Sequence, residues 1–282
     1  MVFSEVKKSF TERLSGNYSQ EEINILFEIF AENILEINRI QQRSFSDQEI
    51  STENLKKFIE VIIQLESGKP YQQILGETEF YGMKFFVNEH VLIPRPETEE
   101  LLEIAIEKIS KSHAQNTTLK ILDIGTGSGI IPLVLKKHFP KADIISIDFS
   151  EKALMVAQRN ADFHQLKINC IHADYLKIDF KENFDIIISN PPYIGINEEI
   201  EIADSVKEFE PKMALFSPTS DALIFYRKIA EDCEKYLIKN GLLFLEINQK
   251  LGKETLDLFK NFSESELRKD LSGNDRFIIG IK

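Results

Sequence analysis

The chain has few cysteines, no histidine cluster, no long apolar run and no excess of basic charge, and each shortage removes a class of function. Its two cysteines, Cys170 and Cys233, are too few and too far apart for a disulfide framework or a Cys-x-x-Cys metal knuckle, so they read as reduced structural thiols. The histidines, His90, His113, His138, His164 and His172, include no His-x-x-x-His pair, and no metal site is expected. The opening stretch Met1–Leu14 lacks an apolar core followed by small residues, which argues against a secretory signal. No run approaches the roughly 18 apolar residues of a membrane span. A cytoplasmic protein with no membrane partner is expected. The net charge is −12, whereas a protein that grips a nucleic-acid backbone usually carries a basic patch or stripe. A partner other than nucleic acid is favoured, and the protein is expected to act as a monomer.

What is present is enough for a core: 282 residues, 43% of them hydrophobic, allow one large domain or two modest ones. Residues 1–75 read as a helical module. Ser19-Gln20-Glu21-Glu22 is a capping box, followed by an apolar stripe at helical spacing, Ile23, Leu26, Phe27, Phe30, Ala31, Ile34 and Leu35. Ser46-Asp47-Gln48-Glu49 reads as a second helix start, with Leu55, Phe58, Ile59, Ile62 and Ile63 as its apolar face and Gly68 and Pro70 as its stop. Eight basic against twelve acidic residues give this module −4, a balance better suited to docking a protein than to clamping DNA or RNA.

Residues 76–96 read as a β-hairpin with its turn near Gly82, then a stiff extended connector, Ile93-Pro94-Arg95-Pro96. From residue 97 to 282 helix and strand alternate: helices over 97–110, 129–138, 151–163 and 221–238, strands over 119–124, 142–147, 168–172, 184–189, 242–247 and 276–281. This is an α/β pattern with a mostly parallel sheet, in which ligands bind beyond the carboxyl ends of the strands.

Three such ends carry polar residues that point to a cofactor. The first strand runs into Asp123-Ile124-Gly125-Thr126-Gly127-Ser128-Gly129. Glycines there let a ligand approach the main chain, where N–H groups can bind it. Alone, the loop would serve NAD, FAD or S-adenosylmethionine. The Asp-x-Gly-x-Gly-x-Gly spacing favours the last, because a carboxylate can orient the loop or attract a cationic group where a pyrophosphate would be repelled. Asp148, 23 residues after Gly125, sits near the offset of a ribose-binding acid. Asp174 and Tyr175 could hold the edge and face of an adenine, or Asp174 could simply cap a turn.

The fourth end is Ser189-Asn190-Pro191-Pro192-Tyr193. Both prolines have φ set near −65° and no N–H, and Asn190 and Pro191, each preceding a proline, are held out of the helical region. A rigid turn with exposed carbonyl oxygens results. Asn190 Oδ1 and the Pro191 carbonyl can accept two N–H bonds, and the Tyr193 ring offers a face. The set suits a planar, conjugated NH₂ group, whose weak lone pair needs alignment with an electrophile. Asn190, Pro191 and Tyr193 are the expected catalytic residues.

The chain resembles the release-factor glutamine methyltransferase family (PrmC/HemK). The resemblance runs through Gly68-Lys69-Pro70, Ile74-Leu75-Gly76, Leu92-Ile93-Pro94-Arg95-Pro96-Glu97-Thr98-Glu99, the glycine loop, Asn190–Tyr193 and Phe209-Glu210-Pro211. It implies a helical N-terminal domain that docks substrate (1–75), a hairpin linker (76–96) and a seven-stranded Rossmann-like methyltransferase domain (97–282). It implies methyl transfer from S-adenosyl-L-methionine, with S-adenosyl-L-homocysteine as product, to the glutamine of a Gly-Gly-Gln motif in peptide-chain release factors. By that pattern Gly125, Thr126, Gly127, Ser128, Gly129, Asp148, Tyr175 and Asn190 contact the cofactor, and Asn190, Pro191, Pro192 and Tyr193 hold the glutamine. Three positions depart from it: Tyr175 stands where tryptophan is frequent, Glu208 where arginine is common, and Asn248 in place of a usual glycine. Two other readings stand beside it. A methyltransferase acting on adenine or guanine amines would use the same Asn-Pro-Pro-Tyr chemistry but would have to hold phosphates. A non-enzymatic scaffold would have no use for the intact Asn190–Tyr193 set.

Overall fold

The computed structural model of the chain describes residues 1–112, 118–194, 204–217, 219 and 221–282, so His113 lies outside the described residues. Two compact units divide the chain, Met1–Glu77 and Thr78–Lys282.

The first unit is helical: α1 (Phe3–Leu14), α2 (Gln20–Leu35), α3 (Arg39–Arg43), α4 (Thr52–Glu66) and α5 (Tyr71–Leu75). The capping box starts α2: Ser19 Oγ accepts from Glu22 N at 3.3 Å, and the Glu22 carboxylate accepts from Ser19 N at 2.8 Å. The rings of Phe27 and Phe58 stack at 5.8 Å and Phe10 meets Phe27 edge-on at 5.4 Å, so α1, α2 and α4 meet on aromatic contacts. The second helix start differs from the sequence expectation. The cap of α4 is Ser51, whose Oγ accepts from Asn54 N at 3.2 Å. Residues 46–50 serve the start of the chain instead. The carbonyls of Ser46 and Gln48 accept from the N–H groups of Ser4 and Phe3, and Glu49 bridges Val2. Those N–H groups belong to the open first turn of α1 and have no partner within the helix.

The second unit opens with the hairpin, β1 (Glu77–Phe80) and β2 (Met83–Phe86). Tyr81 (φ 51°) and Gly82 (φ 62°) are both left-handed, which makes a two-residue turn matching the strand twist. Then follow α6 (Pro96–Ser112), β3 (Lys120–Ile124), α7 (Ile130–His138), β4 (Asp143–Asp148), α8 (Glu151–His164), β5 (Asn169–His172), β6 (Phe184–Ser189), α9 (Asp204–Phe209), α10 (Lys212–Leu215), α11 (Ile224–Tyr236), β7 (Leu237–Glu246), α12 (Gly252–Asp257), β8 (Glu264–Lys269) and β9 (Asp275–Ile281). The sheet order is β5-β4-β3-β6-β7-β9-β8. Strands β3 to β7 run parallel, and β9 is antiparallel to β7 and β8. Successive residues of β3 serve opposite faces: Ile121 joins the apolar cluster of α6 and α7, Leu122 that of α11. Burial on both faces is why these strands read as unbroken apolar runs.

The seventh strand, β8, escapes sequence reading because Glu-Ser-Glu-Leu-Arg-Lys is an edge strand with alternately exposed, mostly charged residues. The helix expected over 221–238 is trimmed at both ends. Asp221 Oδ1 accepts from Leu223 N at 3.0 Å ahead of it, and Ile238 already belongs to β7. The hairpin, expected as a linker, is tied into the second unit by one buried amide. Asn160 Oδ1 accepts from Phe86 N at 2.7 Å, while its Nδ2 donates to Phe86 O at 3.0 Å and to Ser128 O at 2.8 Å. Both cysteines are free.

Because Ser51 and not Ser46 caps α4, Ser51→Ala is expected to lower stability by about 1 kcal/mol. Ser46→Ala should stay within about 0.5 kcal/mol of the parent. Urea unfolding followed by circular dichroism compares the two.

Candidate active site

The register of the sheet assembles the site. Ile124 at the end of β3 pairs with Ser189 at the end of β6, and the Ser189 hydroxyl donates to the Ile124 carbonyl at 2.7 Å. This is the point where strand order reverses, the usual place for a ligand crevice. It sets the glycine loop against the Asn-Pro-Pro turn so closely that a Cβ on Gly125 would lie 3.5 Å from the Asn190 carbonyl oxygen. A cavity of about 390 Å³ opens there.

Gly125, Gly127 and Gly129 all have positive φ (79°, 54° and 83°), a conformation that costs residues with a Cβ. Gly129 also packs against α8, where a Cβ would fall 3.1 Å from that of Ala157. Asp123 is fully buried and acts on the loop from beneath: its Oδ2 accepts from the Thr126 hydroxyl at 2.9 Å. Of the two roles its position allows, loop orientation is the one realised, since it does not border the cavity. Ser146, its register partner on β4, supplies a second hydroxyl that acts on it. Burial pushes the Asp123 carboxyl up to about 7, against the opposing pull of the Thr126 and Ser146 hydroxyls.

Asp148 ends β4 at the cavity wall. Its Oδ2 accepts from Gly127 N and its Oδ1 from Ser150 N, both at 2.8 Å. Each oxygen keeps a second acceptor site, and burial raises the carboxyl above its ordinary value. The next residue, Phe149, also borders the cavity and is 60% exposed. It was missed in the sequence because an aromatic after a strand ordinarily reads as core. Asp174 caps the following turn, its Oδ1 accepting from Leu176 N at 3.1 Å, and it borders the cavity. Tyr175 borders the cavity too, but its hydroxyl donates to buried Asp232 at 2.8 Å, which holds the ring in place.

The Asn-Pro-Pro turn is divided by the fold. Asn190, Pro191 and Pro192 border the cavity, whereas Tyr193, expected to offer its ring to substrate, does not. Its hydroxyl is 3.4 Å from Glu246 Oε1, its carbonyl accepts from Asn248 Nδ2 at 3.1 Å, and the ring packs beside the Tyr226 and Ile247 cluster. Asn248, the departure from the family glycine, thus secures this turn. Asn190 is held by its nitrogen: Nδ2 donates to Glu246 Oε2 at 2.8 Å and to Thr98 Oγ1 at 3.2 Å. Glu246, at the end of β7, and Thr98, in α6, were not read as functional. The sequence signals were an acid closing an apolar strand for Glu246 and, for Thr98, its place in the Leu92–Glu99 stretch that carries the resemblance.

The extended connector is anchored as well. Glu210 is buried; its Oε1 accepts from Arg95 Nη2 at 2.6 Å and its Oε2 from Ile93 N at 2.9 Å. Glu208 is exposed and takes no part. Among the described residues no group of His, Cys, Asp and Glu could hold a metal ion, and no helix is long and apolar enough to cross a membrane.

The lining fits S-adenosylmethionine. Two carboxylates, Asp148 and Asp174, border the cavity where a pyrophosphate would be repelled. Phe149 and Leu176 are apolar partners for a base, and the glycine loop leaves the main chain open.

Known proteins resemble the chain along its length. Residues 5–76 match the family model described as PrmC N-terminal domain, and residues 103–207 that described as methyltransferase small domain. A protein of Flavobacterium psychrophilum described as release factor glutamine methyltransferase is 44% identical over 282 residues, covering 99% of this chain and 98% of its own. One of the same description from Streptococcus pneumoniae is 42% identical over 250 residues, covering 85% of this chain and 87% of its own. A methyltransferase structure from Pyrococcus furiosus, 16% identical, superposes with a TM-score of 0.51 over 72% of this chain and 90% of its own, a likeness of fold alone.

Two outcomes are expected. Asp148→Ala should weaken S-adenosylmethionine binding by about tenfold or more, measured by calorimetry; equal affinity would remove Asp148 from the site. A carboxyl raised from 3.8 to about 7 by folding contributes stability that is full below the lower value and lost as pH rises through the upper one. Asp123→Asn should therefore flatten the fall in melting temperature over that interval, and an unchanged slope would show that Asp123 titrates normally.

Proposed function

The chain belongs to the release factor glutamine methyltransferase family, and from that premise we propose that it methylates the side-chain amide nitrogen of the glutamine in the Gly-Gly-Gln motif of peptide-chain release factors. The observation that carries the chemistry is the anchored Asn190 amide. With Nδ2 spent on Glu246 and Thr98, its remaining polar atom is Oδ1, an acceptor. The Pro191 carbonyl is a second acceptor on the same turn. Two acceptors match the two N–H bonds of a primary amide.

Bound S-adenosylmethionine supplies a methyl carbon on a sulfonium sulfur, which leaves as the neutral thioether of S-adenosylhomocysteine. The residues of the chain do the rest. Gly125, Thr126, Gly127, Ser128 and Gly129 with Asp148 would hold the cofactor, and Asp174, Tyr175 and Phe149 would border its base. Asn190 and Pro191 would grip both amide hydrogens, turning the delocalised lone pair toward the methyl carbon. They would also stabilise the positive charge that grows on nitrogen. One N–H proton leaves after the N–C bond forms, so no strong base is needed beforehand. Pro192 would limit the turn's movement. Tyr193 would act by bracing the turn, since its hydroxyl faces Glu246.

The helical unit, net −4 over residues 1–75, is assigned to docking the release factor. Its exposed Ile59 and Ile63 lie one turn apart on α4. A net charge of −12 speaks against nucleic acid as substrate, and we assign the protein to the cytoplasm as a monomer.

Incubation with a release factor and the cofactor, followed by peptide mass spectrometry, should place the mass of one added methyl on the Gly-Gly-Gln glutamine. DNA and ribosomal RNA assayed in parallel should stay unmodified; transfer only to nucleic acid would overturn the assignment. Asn190→Ala should lower turnover by about 100-fold or more while leaving most cofactor affinity, and full turnover in that variant would remove the amide clamp.

A further inference from the structure

A carboxamide is nearly symmetric in shape, so packing alone cannot decide whether Asn190 presents its oxygen or its nitrogen to a ligand. Hydrogen-bond partners must decide it. We propose that Glu246 is the positioning residue that sets this choice, holding Asn190 with its acceptor toward the substrate so that the site takes an NH₂ group and rejects a carbonyl or hydroxyl acceptor. The proposal rests on the function above and adds a residue and a selectivity to it.

Glu246 is 1% exposed and closes β7 beside the Asn-Pro-Pro turn. An ionised carboxylate can only accept. Its Oε2 accepts from Asn190 Nδ2 at 2.8 Å and from the Thr98 hydroxyl at 2.7 Å. With its proton given to Glu246, Thr98 can offer Asn190 only a lone pair, and Nδ2 donates to it at 3.2 Å. Both neighbours of Nδ2 are therefore acceptors. Rotating the amide by half a turn would face Oδ1 toward two acceptors and a negative charge. The carboxylate's other oxygen, Oε1, meets the Tyr193 hydroxyl at 3.4 Å, so one buried acid braces both ends of the turn. The arrangement also gives Thr98 a purpose within the Pro-Arg-Pro-Glu-Thr-Glu stretch: it supplies the second acceptor and neutralises part of the demand of the acid.

The hold depends on charge. A protonated Glu246, or a glutamine in its place, can donate as well as accept. Asn190 could then invert and turn two N–H bonds on the N–H bonds of the substrate amide. The groups around Glu246 are Thr98 and Glu97 of α6, Asn190 and Tyr193 of the turn, Arg276 of β9, and Tyr226 of α11, whose hydroxyl is 3.4 Å from the Glu246 carbonyl. Burial first, and then Glu97, raise the carboxyl; Thr98, Arg276 and Tyr193 oppose them, and the result is about 7.

The test measures kcat and KM for release-factor methylation in the full-length protein, with cofactor affinity by calorimetry, for the parent, Glu246→Gln and Glu246→Asp. The Gln variant should lose about 100-fold in kcat with cofactor affinity within about twofold of the parent. The Asp variant, still acceptor-only, should recover part of the loss. The parent's kcat should rise with pH through about 7, and that limb should be absent in the Gln variant. A Gln variant with the parent's kcat, or an Asp variant that recovers nothing of the Gln variant's loss, would overturn the proposal. If the Gln variant fails to fold, the Asp variant still decides, because it keeps an acceptor-only side chain: a loss of kcat in it as large as that of Asn190→Ala would overturn the proposal. A parent that methylates no release factor at all would overturn the functional assignment instead, so the two failures are distinct.

Discussion

The site depends on β3 and β6 lying side by side in one register. Ile124 opposite Ser189, sealed by the Ser189 hydroxyl on the Ile124 carbonyl, brings two chain segments 65 residues apart to the same edge of the sheet. A slip of one residue would reverse the faces of every side chain on β6. It would carry Asn190 away from the glycine loop. Strands buried on both faces resist such a slip, because each face has its own apolar cluster to satisfy. The chemistry of the crevice is thus protected by ordinary packing.

Around that register the protein places several carboxylates out of water. Asp123 steadies the glycine loop through Thr126, Glu210 ties down the connector through Arg95 and Ile93, Asp232 holds the Tyr175 hydroxyl, and Glu246 holds Asn190. A buried acid is a poor source of stability, since desolvation opposes most of what its partners return. It is a strong source of orientation, because a carboxylate accepts in any direction and never donates. Each of these acids faces donors that border the ligand cavity or position something that does. Stability is given up in favour of geometry where methyl transfer demands that atoms be aligned.

The elements that carry this arrangement differ in how visible they were. The capping box at Ser19, the turn at Gly82 and the apolar strands announce themselves through local rules. The cap of α4 did not, because Ser46 and Ser51 look alike in sequence and only the demand of α1's free N–H groups separates them. Strand β8 was invisible for a related reason: an edge strand has no apolar face of its own to display. The residue type of Tyr193 points to a substrate platform, whereas its hydroxyl faces Glu246 and its ring packs in the apolar cluster of Tyr226. Phe149, for which the sequence offers no functional signal, borders the cavity.

Sequence alone was enough to determine the α/β alternation from residue 97 to β7, the glycine loop with its acids, and the proline-stiffened Asn190 turn. These follow from restrictions each residue imposes on its own backbone or its near neighbours. Only the tertiary structure decided that Glu246, Thr98 and Asn190 meet, and with them the direction of the Asn190 amide. Those residues lie 56 and 92 positions from Asn190, and a contact over that distance is set by sheet register and helix packing, which no local pattern of residues records.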